Sequence, residues 1–391
     1  MDPVQNPFRP GAGRRPPLLA GREQLLDAFD VVRDRASTLG EGDRAWMLTG
    51  LQGVGKTALL NELLRRVSGE GWIAAKVEVT PTTTLPEALA TALGRAMRTA
   101  TGRHPVPRLR RLLGVFKAFS MQISPAGTLS LGAEVSPVRG VADSGRFAHD
   151  LAMLFEVVGE TSLDLGIGTL ILIDELQEAS SEELTAINTA VHQIGQGESP
   201  LPIFFVGAGL PSLPAQLAEA TSYAERLYDY RTIGLLDPAA ASAALAGPSA
   251  QQHVDWSPEA LDAALAIAEG YPYFLQAVGK HVWDVSPRSP ISLDDVEVGG
   301  TFARREVDEG LYLSRWERAT PAQRDFIRVI AALGQGGHVG IADAAAEMGK
   351  RPADLSVARR ELISKGLLYA PQRGLLAFTV PGMHAFIAEQ D

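Results

Sequence analysis

Apolar residues in the first half of the chain follow two alternating patterns. Short unbroken apolar runs, such as 45–49 and the four consecutive aliphatic residues 170–173, are typical of parallel strands buried on both faces. Between such runs, apolar residues recur every three or four positions, as in 58–67 and 86–99, which predicts amphipathic helices. The alternation of strands and helices predicts an α/β fold with a parallel sheet.

A two-residue period interrupts this pattern after the second predicted strand. Phe119, Met121 and Ile123 alternate with polar residues, a Pro-Ala-Gly turn follows at 125–127, and the alternation resumes over 129–135. Alternation on both sides of a turn predicts a β-hairpin, placed in an insertion at about 100–145 of the core.

The last part of the chain has a different order of elements. Apolar residues at helical spacing predict an α-helical region over 235–300, followed by a connecting helix at 301–319. Over 320–391, three predicted helices are followed by two short strands joined by a turn, which is the order of a winged helix-turn-helix domain. Val357 is expected to face inward in its third helix, and Arg359 and Arg360 outward.

Composition and charge limit the function classes. The chain has 391 residues, which is enough for two or three domains, and five prolines in residues 1–20 predict an extended N-terminal arm before a core at 21–234. The absence of cysteine excludes disulfides and thiolate metal sites. Neither a signal peptide nor a membrane-spanning run is visible, so we expect a cytoplasmic protein without a membrane partner. The net charge of -10 argues against general coating of nucleic acid.

The segment Gly50–Thr57, Gly-Leu-Gln-Gly-Val-Gly-Lys-Thr, fits the phosphate-binding P-loop pattern. It lies between a predicted strand and a predicted helix, as the pattern requires. Glycines let the backbone turn and approach an anion, and the N–H groups at the helix start point at phosphate. Lys56 is expected to reach the β- and γ-phosphates and Thr57 to ligate Mg²⁺. The predicted nucleotide-binding residues here are Gly50, Leu51, Gln52, Gly53, Val54, Gly55, Lys56, Thr57 and Ala58.

Two carboxylates, Asp174 and Glu175, follow the aliphatic run 170–173. The carboxyl ends of strands form the ligand-binding edge of an α/β sheet, so we expect this pair to meet the P-loop. Asp174 is predicted to hold the shell of Mg²⁺, and Glu175 to orient and deprotonate the attacking water.

Between residues 88 and 133 there are no acidic residues, whereas seven are basic. One interpretation is a platform for nucleic-acid phosphate over 95–117; the other is a solvated face whose charges are matched elsewhere on the acidic domain. The basic residues are Arg95, Arg98, Arg103, Arg108, Arg110, Arg111 and Lys117.

Taken in order, the motifs resemble those of a bacterial AAA+ P-loop ATPase of the origin-recognition and archaeal-ATPase branch, bordering on the STAND proteins. The resemblance implies a five-stranded parallel core, a helical lid, binding of ATP or ADP with Mg²⁺, and ATP-dependent assembly, including a homo-oligomer. It also implies that Arg22 lies beside the adenine and that the Tyr271-Pro272 pair of the lid touches the base. The motifs are Gly21-Arg22-Glu23, Gly50–Thr57, Ile173-Asp174-Glu175, Gly207–Pro211, Gly270-Tyr271-Pro272 and the winged tail.

Several of these residues also have a purely structural interpretation. Arg22 could mark the start of a helix, and Gly270-Tyr271-Pro272 could cap one helix and begin the next. Ala208 stands where the family carries a polar sensor for the γ-phosphate, which leaves Ser212 as the substitute. Arg226 stands where the family has an arginine finger acting on a neighbouring subunit, but it also suits a surface pair with Glu225; Arg231 is the substitute.

Two functional hypotheses follow. In the first, ATP binding and hydrolysis form a switch that changes how the winged domain, through 351–373, and the basic segment meet double-stranded DNA or a partner. In the second, a nucleotide-occupied scaffold with little hydrolysis docks a protein partner through its winged domain. The near-neutral charge of 320–391, with eight basic and seven acidic residues, leaves both open.

Overall fold

A central parallel sheet organises the first half of the molecule. The computed structural model describes residues 1–80, 82–123, 135–197 and 200–390. The sheet order is β2-β3-β4-β1-β5, with every neighbouring pair parallel. This confirms the predicted five-stranded α/β core. The strands are β1 (Ala45–Thr49), β2 (Ile73–Glu78), β3 (Thr169–Asp174), β4 (Ile203–Gly209) and β5 (Tyr228–Thr232).

Helices cover both faces of this sheet. Every residue of β1, β3 and β4 is buried, as expected for strands between two helical layers. Successive residues Met47 and Leu48 of β1 belong to the hydrophobic clusters of opposite faces. The helices of this half are α1 (Glu23–Leu39), α2 (Lys56–Val67), α3 (Leu85–Thr101), α4 (Val106–Ile123), α5 (Phe147–Leu165), α6 (Ser181–Gln196), α7 (Leu213–Ala220) and α8 (Ala224–Leu227).

The prediction that residues 119–123 form the first strand of a β-hairpin is wrong. Phe119, Met121 and Ile123 form the end of α4 rather than a strand. Leu109, Leu112, Phe116 and Phe119 of α4 are buried and lie three or four positions apart, so a helical period that begins before the short alternation continues into it. The predicted turn and most of the return strand fall in 124–134, outside the described residues.

A helical region follows the sheet. Its bounds are α9 (Pro238–Ala250), α10 (Pro258–Ala268), α11 (Pro272–Val285), α12 (Leu293–Val307), a π-helical segment (Asp308–Leu313) and α13 (Ser314–Trp316). Among the described helices, none combines the length and the apolar character needed to cross a bilayer.

The C-terminal elements surround a small antiparallel sheet with the order β6-β8-β7. They occur in the expected sequence of helices and strands, while the domain bounds and the winged-helix assignment stay predictions. The elements are α14 (Pro321–Gly334), β6 (Val339–Gly340), α15 (Ile341–Glu347), a 3₁₀ turn (Pro352–Leu355), α16 (Ser356–Ser364), β7 (Leu368–Tyr369), β8 (Leu375–Phe378) and α17 (Met383–Ala388).

Two orientations predicted for α16 are wrong. Val357 is 53% exposed instead of facing inward. Leu355 and Leu362 are both buried and set the inner face, and a position two residues after Leu355 points about 200° away from it in a helix. Arg359 is half-buried, and its Nε is buried without a hydrogen-bond partner among the described residues, whereas Arg360 is exposed as predicted.

The N-terminal arm lies along α11. It contains a 3₁₀ turn (Pro3–Gln5) and is otherwise irregular up to α1. Phe8 is 3% exposed, and a Cβ on Gly279 of α11 would lie 2.6 Å from its ring. Trp283 Nε1 donates to the Asp2 carbonyl at 3.0 Å, and Asn6 Nδ2 donates to the Lys280 carbonyl at 3.0 Å. These contacts fix the arm against the helical region.

Candidate functional site

The loop between β1 and α2 holds two glycines in the left-handed region. Gly53 has φ 79° and Gly55 has φ 98°, values that side-chain-bearing residues rarely adopt. A Cβ at Gly55 would meet nothing within 4 Å, so the loop is open on that side. At Gly50 a Cβ would lie 2.1 Å from the Ile233 carbonyl, so the strand end admits glycine alone.

Lys56 and Thr57 are the first two residues of α2, and their side chains have different hydrogen-bond partners. The Lys56 side chain is buried, and its Nζ donates to the carbonyls of Gly50 at 2.8 Å and Leu51 at 2.9 Å. Burial lowers the pKa of Lys56, against the nearby charges of Glu175 and Asp174, which raise it. Thr57 Oγ1 donates to Asp174 Oδ2 at 2.7 Å. The loop and the carboxyl end of β3 therefore meet, as the sequence predicted.

The acidic pair occupies the last position of β3 and the residue after it. Asp174 is 1% exposed, and its Oδ2 lies 3.9 Å from Lys76 Nζ. Glu175 has φ 52°, a rare conformation for a residue with a side chain that recurs at functional sites. Burial lowers the pKa of Lys76, although the Asp174 carboxylate raises it. Lys76 was not predicted, because nothing in the run of β2 marks its side chain as facing Asp174.

The oxygen atoms of Thr57 and Asp174 suit magnesium. Mg²⁺ prefers hard oxygen ligands and is commonly held by one or two protein oxygens together with phosphate and water. A hydroxyl and a carboxylate that already touch at 2.7 Å, next to the open loop, provide this donor set. The residues fit the ion predicted from the sequence.

Gln177 joins the ends of β3 and β4. Its Nε2 donates to Glu175 Oε2 at 2.6 Å, and its Oε1 accepts from the Leu210 amide at 3.1 Å. Ala208 is fully buried in β4, and Ser212 precedes α7 without a side-chain capping hydrogen bond. Gln177 therefore supplies a polar side chain at the edge where Ala208 offers none. Gln177 was not predicted, because no motif marks the second residue after Glu175.

A cavity of about 460 Å³ opens above the loop. Loop residues, the N-terminal arm, the helical region and the π-helical segment all line it. Among the described residues, five cationic side chains and one anionic side chain line it: Arg9, Arg14, Arg22, Lys56, Arg315 and Glu175. Part of the wall is apolar: Leu18, Leu19, Ala20, Leu236, Ala244 and Leu275. In a chain of net charge -10, this lining favours a polyanion that carries an apolar group.

Arg22, Tyr271 and Pro272, which the sequence predicted to lie beside the base, all line the cavity. The guanidinium of Arg22 donates to the carbonyls of Val54 at 3.3 Å and Gly234 at 2.6 Å, and burial lowers its pKa. The Tyr271 side chain is buried, its hydroxyl donates to the Gln52 carbonyl, and burial raises its pKa. Tyr271 therefore connects the helical region to the loop itself, while Pro272 begins α11.

The two candidate arginine fingers lie away from this cavity lining. Arg226 is exposed on the short α8, and no ion pair with Glu225 occurs in the described structure. Arg231 stacks 3.7 Å over the Trp46 ring, and its Nη2 lies 2.8 Å from Asp229 Oδ2. Arg231 is thus held by contacts within the chain, whereas Arg226 is exposed.

Two stretches of the chain match known protein-family models. Residues 18–206 match the family model of the AAA ATPase domain. Residues 309–387 match a domain of unknown function (DUF8462). No curated protein matches the chain.

Two solved structures are similar over nearly the full length. The Walker-type ATPase PABY2304 of Pyrococcus abyssi matches with a TM-score of 0.57 and 16% identity, covering 98% of this chain and 99% of that one. The ORC2 protein of Aeropyrum pernix, in its ADPNP–ADP complexes, matches with a TM-score of 0.56 and 15% identity, covering 97% of this chain and 96% of that one. At these identities the likeness shows a shared fold.

Proposed function

We propose that this chain, whose residues 18–206 are an AAA ATPase domain, is an ATP-driven switch. ATP binds in the cavity above the loop and is hydrolysed there, and the nucleotide state controls how the C-terminal region is presented to a partner. The match to this domain model supports nucleotide binding, and the proposal adds hydrolysis and the coupling.

The main support for this function is the hydrogen bond between Thr57 and Asp174, which joins the glycine loop to the acidic pair beside a cationic cavity. A phosphate-binding loop alone would fit many nucleotide-binding proteins. An acidic pair brought to the same point, with Glu175 lining the cavity, adds the groups that hydrolysis requires.

Different residues of the site bind the phosphates, the metal ion and the adenine of MgATP. The amides of residues 53–58 cradle the α- and β-phosphates, and Lys56 leaves the Gly50 and Leu51 carbonyls for the β- and γ-phosphates. Thr57 and Asp174 would hold Mg²⁺, which when bound neutralises charge on the phosphate oxygens. The apolar wall and Arg22, Tyr271 and Pro272 take the adenine end of the nucleotide.

Hydrolysis depends on Glu175. Its carboxylate accepts a proton from water as the water oxygen attacks the terminal phosphorus and the bond to the β-phosphate oxygen breaks, releasing ADP and phosphate. Gln177, which donates to Glu175 Oε2, holds this carboxylate in place. Arg226 of a neighbouring copy would stabilise the charge that develops on the transferred group.

ATP turnover by Glu175→Gln tests this assignment. Because a general base contributes on the order of a hundredfold or more, we expect the variant to bind ATP normally and to lose turnover by at least that factor. The exposed Glu182→Gln, nearby at the start of α6, is the matched control and should leave turnover unchanged. Full turnover in Glu175→Gln would show that another group is the base.

DNA is one candidate partner for the switched surface. Arg95, Arg108 and Arg110 of the basic segment are exposed, whereas Arg111 pairs with Glu160 at 2.6 Å. In the C-terminal region Arg360 is exposed, while Arg351 pairs with Asp354 at 2.8 Å. Because some of these arginines are exposed and others form ion pairs, the same surfaces equally support an alternative function. In that function a protein partner docks there and hydrolysis is slow.

A further inference from the structure

A lysine side chain lies on a mostly apolar face of the central sheet. Lys76 of β2 is in register with Leu172 of β3, and Asp174 lies two residues further along β3. Successive side chains of a strand alternate between the two faces, so Lys76, Leu172 and Asp174 share one side of the sheet. Leu170 and Leu172 are buried in the hydrophobic cluster on this side. A lysine is rarely found among such residues unless its charge has a partner.

The partner of Lys76 is the Asp174 carboxylate. Lys76 Nζ lies 3.9 Å from Asp174 Oδ2, the oxygen that also accepts from Thr57 Oγ1. The two side chains are 17% and 1% exposed, so water screens this ion pair less than it would a pair at the surface. Lys56, the other lysine near Asp174, donates instead to two backbone carbonyls.

Asn61 holds the Lys76 ammonium in this place. Its Oδ1 accepts from Lys76 Nζ at 2.5 Å, and its Nδ2 donates to the Gly13 carbonyl of the N-terminal arm at 3.2 Å. Asn61 belongs to α2 and follows Thr57 by four positions, so the two side chains lie one above the other on the same face of the helix. The ammonium is therefore fixed between α2 and β3, beside the oxygen atoms that suit magnesium.

Lys76 and a magnesium ion would share the negative charge of one carboxylate. Without the metal ion, the ion pair neutralises a carboxylate that would otherwise repel the phosphates of a bound nucleotide. With the metal ion, the ammonium repels the second cation and so weakens metal binding. Both effects reduce the difference between the ATP affinity measured with Mg²⁺ and the ATP affinity measured without it.

We propose that Lys76 is a built-in counter-charge for Asp174 that makes ATP binding less dependent on Mg²⁺. This inference rests on the proposed nucleotide site, and Lys76 is a positioning residue in it because it acts through Asp174. The site then accepts free ATP as well as MgATP, with Lys56 and Lys76 as cations supplied by the chain itself.

The test measures the ATP affinity of the full chain by calorimetry, in excess Mg²⁺ and in EDTA, for wild type and Lys76→Met. The quantity compared is the ratio of the affinity with Mg²⁺ to the affinity without it. Exposed ion pairs already change an equilibrium by up to about fivefold, and this pair is mostly buried. The ratio should therefore rise at least about fivefold in Lys76→Met, whereas Lys76→Arg, which keeps the charge, should stay within about twofold of wild type.

Lys117→Met is the matched control. Lys117 of α4 is also half-buried, its Nζ donates to the Val135 carbonyl at 2.9 Å, and it is not part of the cavity lining. Its variant should keep the wild-type ratio. If Lys76→Met does not fold, Lys76→Gln removes the charge but keeps an N–H donor for Asn61, and the same rise of the ratio is expected.

An unchanged ratio in the folded variant that lacks the charge overturns the inference, because a purely structural ion pair would alter both affinities alike. A rise in Lys76→Arg as large as that in Lys76→Met also overturns it, since the charge would then not be the cause. A wild-type chain that binds ATP in neither solution would instead overturn the proposed function, and this inference with it.

Discussion

Phe8 anchors the N-terminal arm beside the cavity, together with the hydrogen bonds of Asp2 and Asn6, and its contribution is measurable. Phe8 is buried against Gly279, and the arm that it anchors brings Arg9 and Arg14 to the cavity lining. Phe8→Ala should detach the arm while the rest of the chain stays folded, because the arm ends before α1 and carries no strand of either sheet.

The size of the effect follows from burial. Burying a phenylalanine side chain is worth about 1.5–3 kcal/mol relative to exposing it, so the ratio of detached to docked arm should rise roughly ten- to hundredfold. The hydrogen bonds of Asp2 and Asn6 remain, so detachment stays incomplete. ATP affinity should fall in proportion to the fraction of chains that lose the docked arm.

Amide hydrogen exchange of residues 4–15 reports this ratio, because exchange in a fluctuating segment follows the population of its open form. Exchange should accelerate ten- to hundredfold in Phe8→Ala. Val4 lies in the same arm and is 88% exposed, so Val4→Ala should exchange like wild type. Unchanged exchange in Phe8→Ala, or equal acceleration in both variants, would refute the anchoring role of Phe8.

Two further predictions concern acid stability and partner choice. Hydrogen bonding to Arg65 lowers the pKa of Glu62 despite the burial of its carboxylate, so the ionised group stabilises the fold above its unfolded pKa of about 4.3. This contribution is lost as the pH falls through the lower, folded pKa, so the melting temperature of Glu62→Gln should fall less steeply than that of wild type between roughly pH 4.5 and 2.5. An identical fall of melting temperature in the two proteins would contradict this prediction. If the switched surface meets DNA through arginines such as Arg95 and Arg360, the affinity for duplex DNA should drop steeply with salt in fluorescence anisotropy, and a salt-independent affinity would favour a protein partner.

The motifs that the sequence located are those whose geometry is local or fixed by a sheet. A glycine loop between a strand and a helix dictates its own backbone path, and parallel strands end at a common edge. For this reason Thr57 and Asp174, although 117 positions apart, could be expected to meet, and they do.

The residues that the sequence did not locate act through contacts between distant segments. Arg315 reaches Gln52 across 263 positions, and Gln177 links two strand ends, without any spacing that announces either contact. The failed hairpin has another cause: Phe119 and Ile123, four positions apart, fit a helical period as well as a two-residue one. Packing of the whole of α4 decided between the two and left Met121 half exposed.

Binding of ATP at the loop Gly50–Thr57 is measured by a calorimetric titration of MgATP into the wild-type chain and into Lys56→Ala. We expect one ATP bound per wild-type chain and loss of tight binding in the variant, because the buried Lys56 ammonium is the loop's own charge for the phosphates. Equal ATP affinity in the two proteins, or no binding by the wild type, would contradict it.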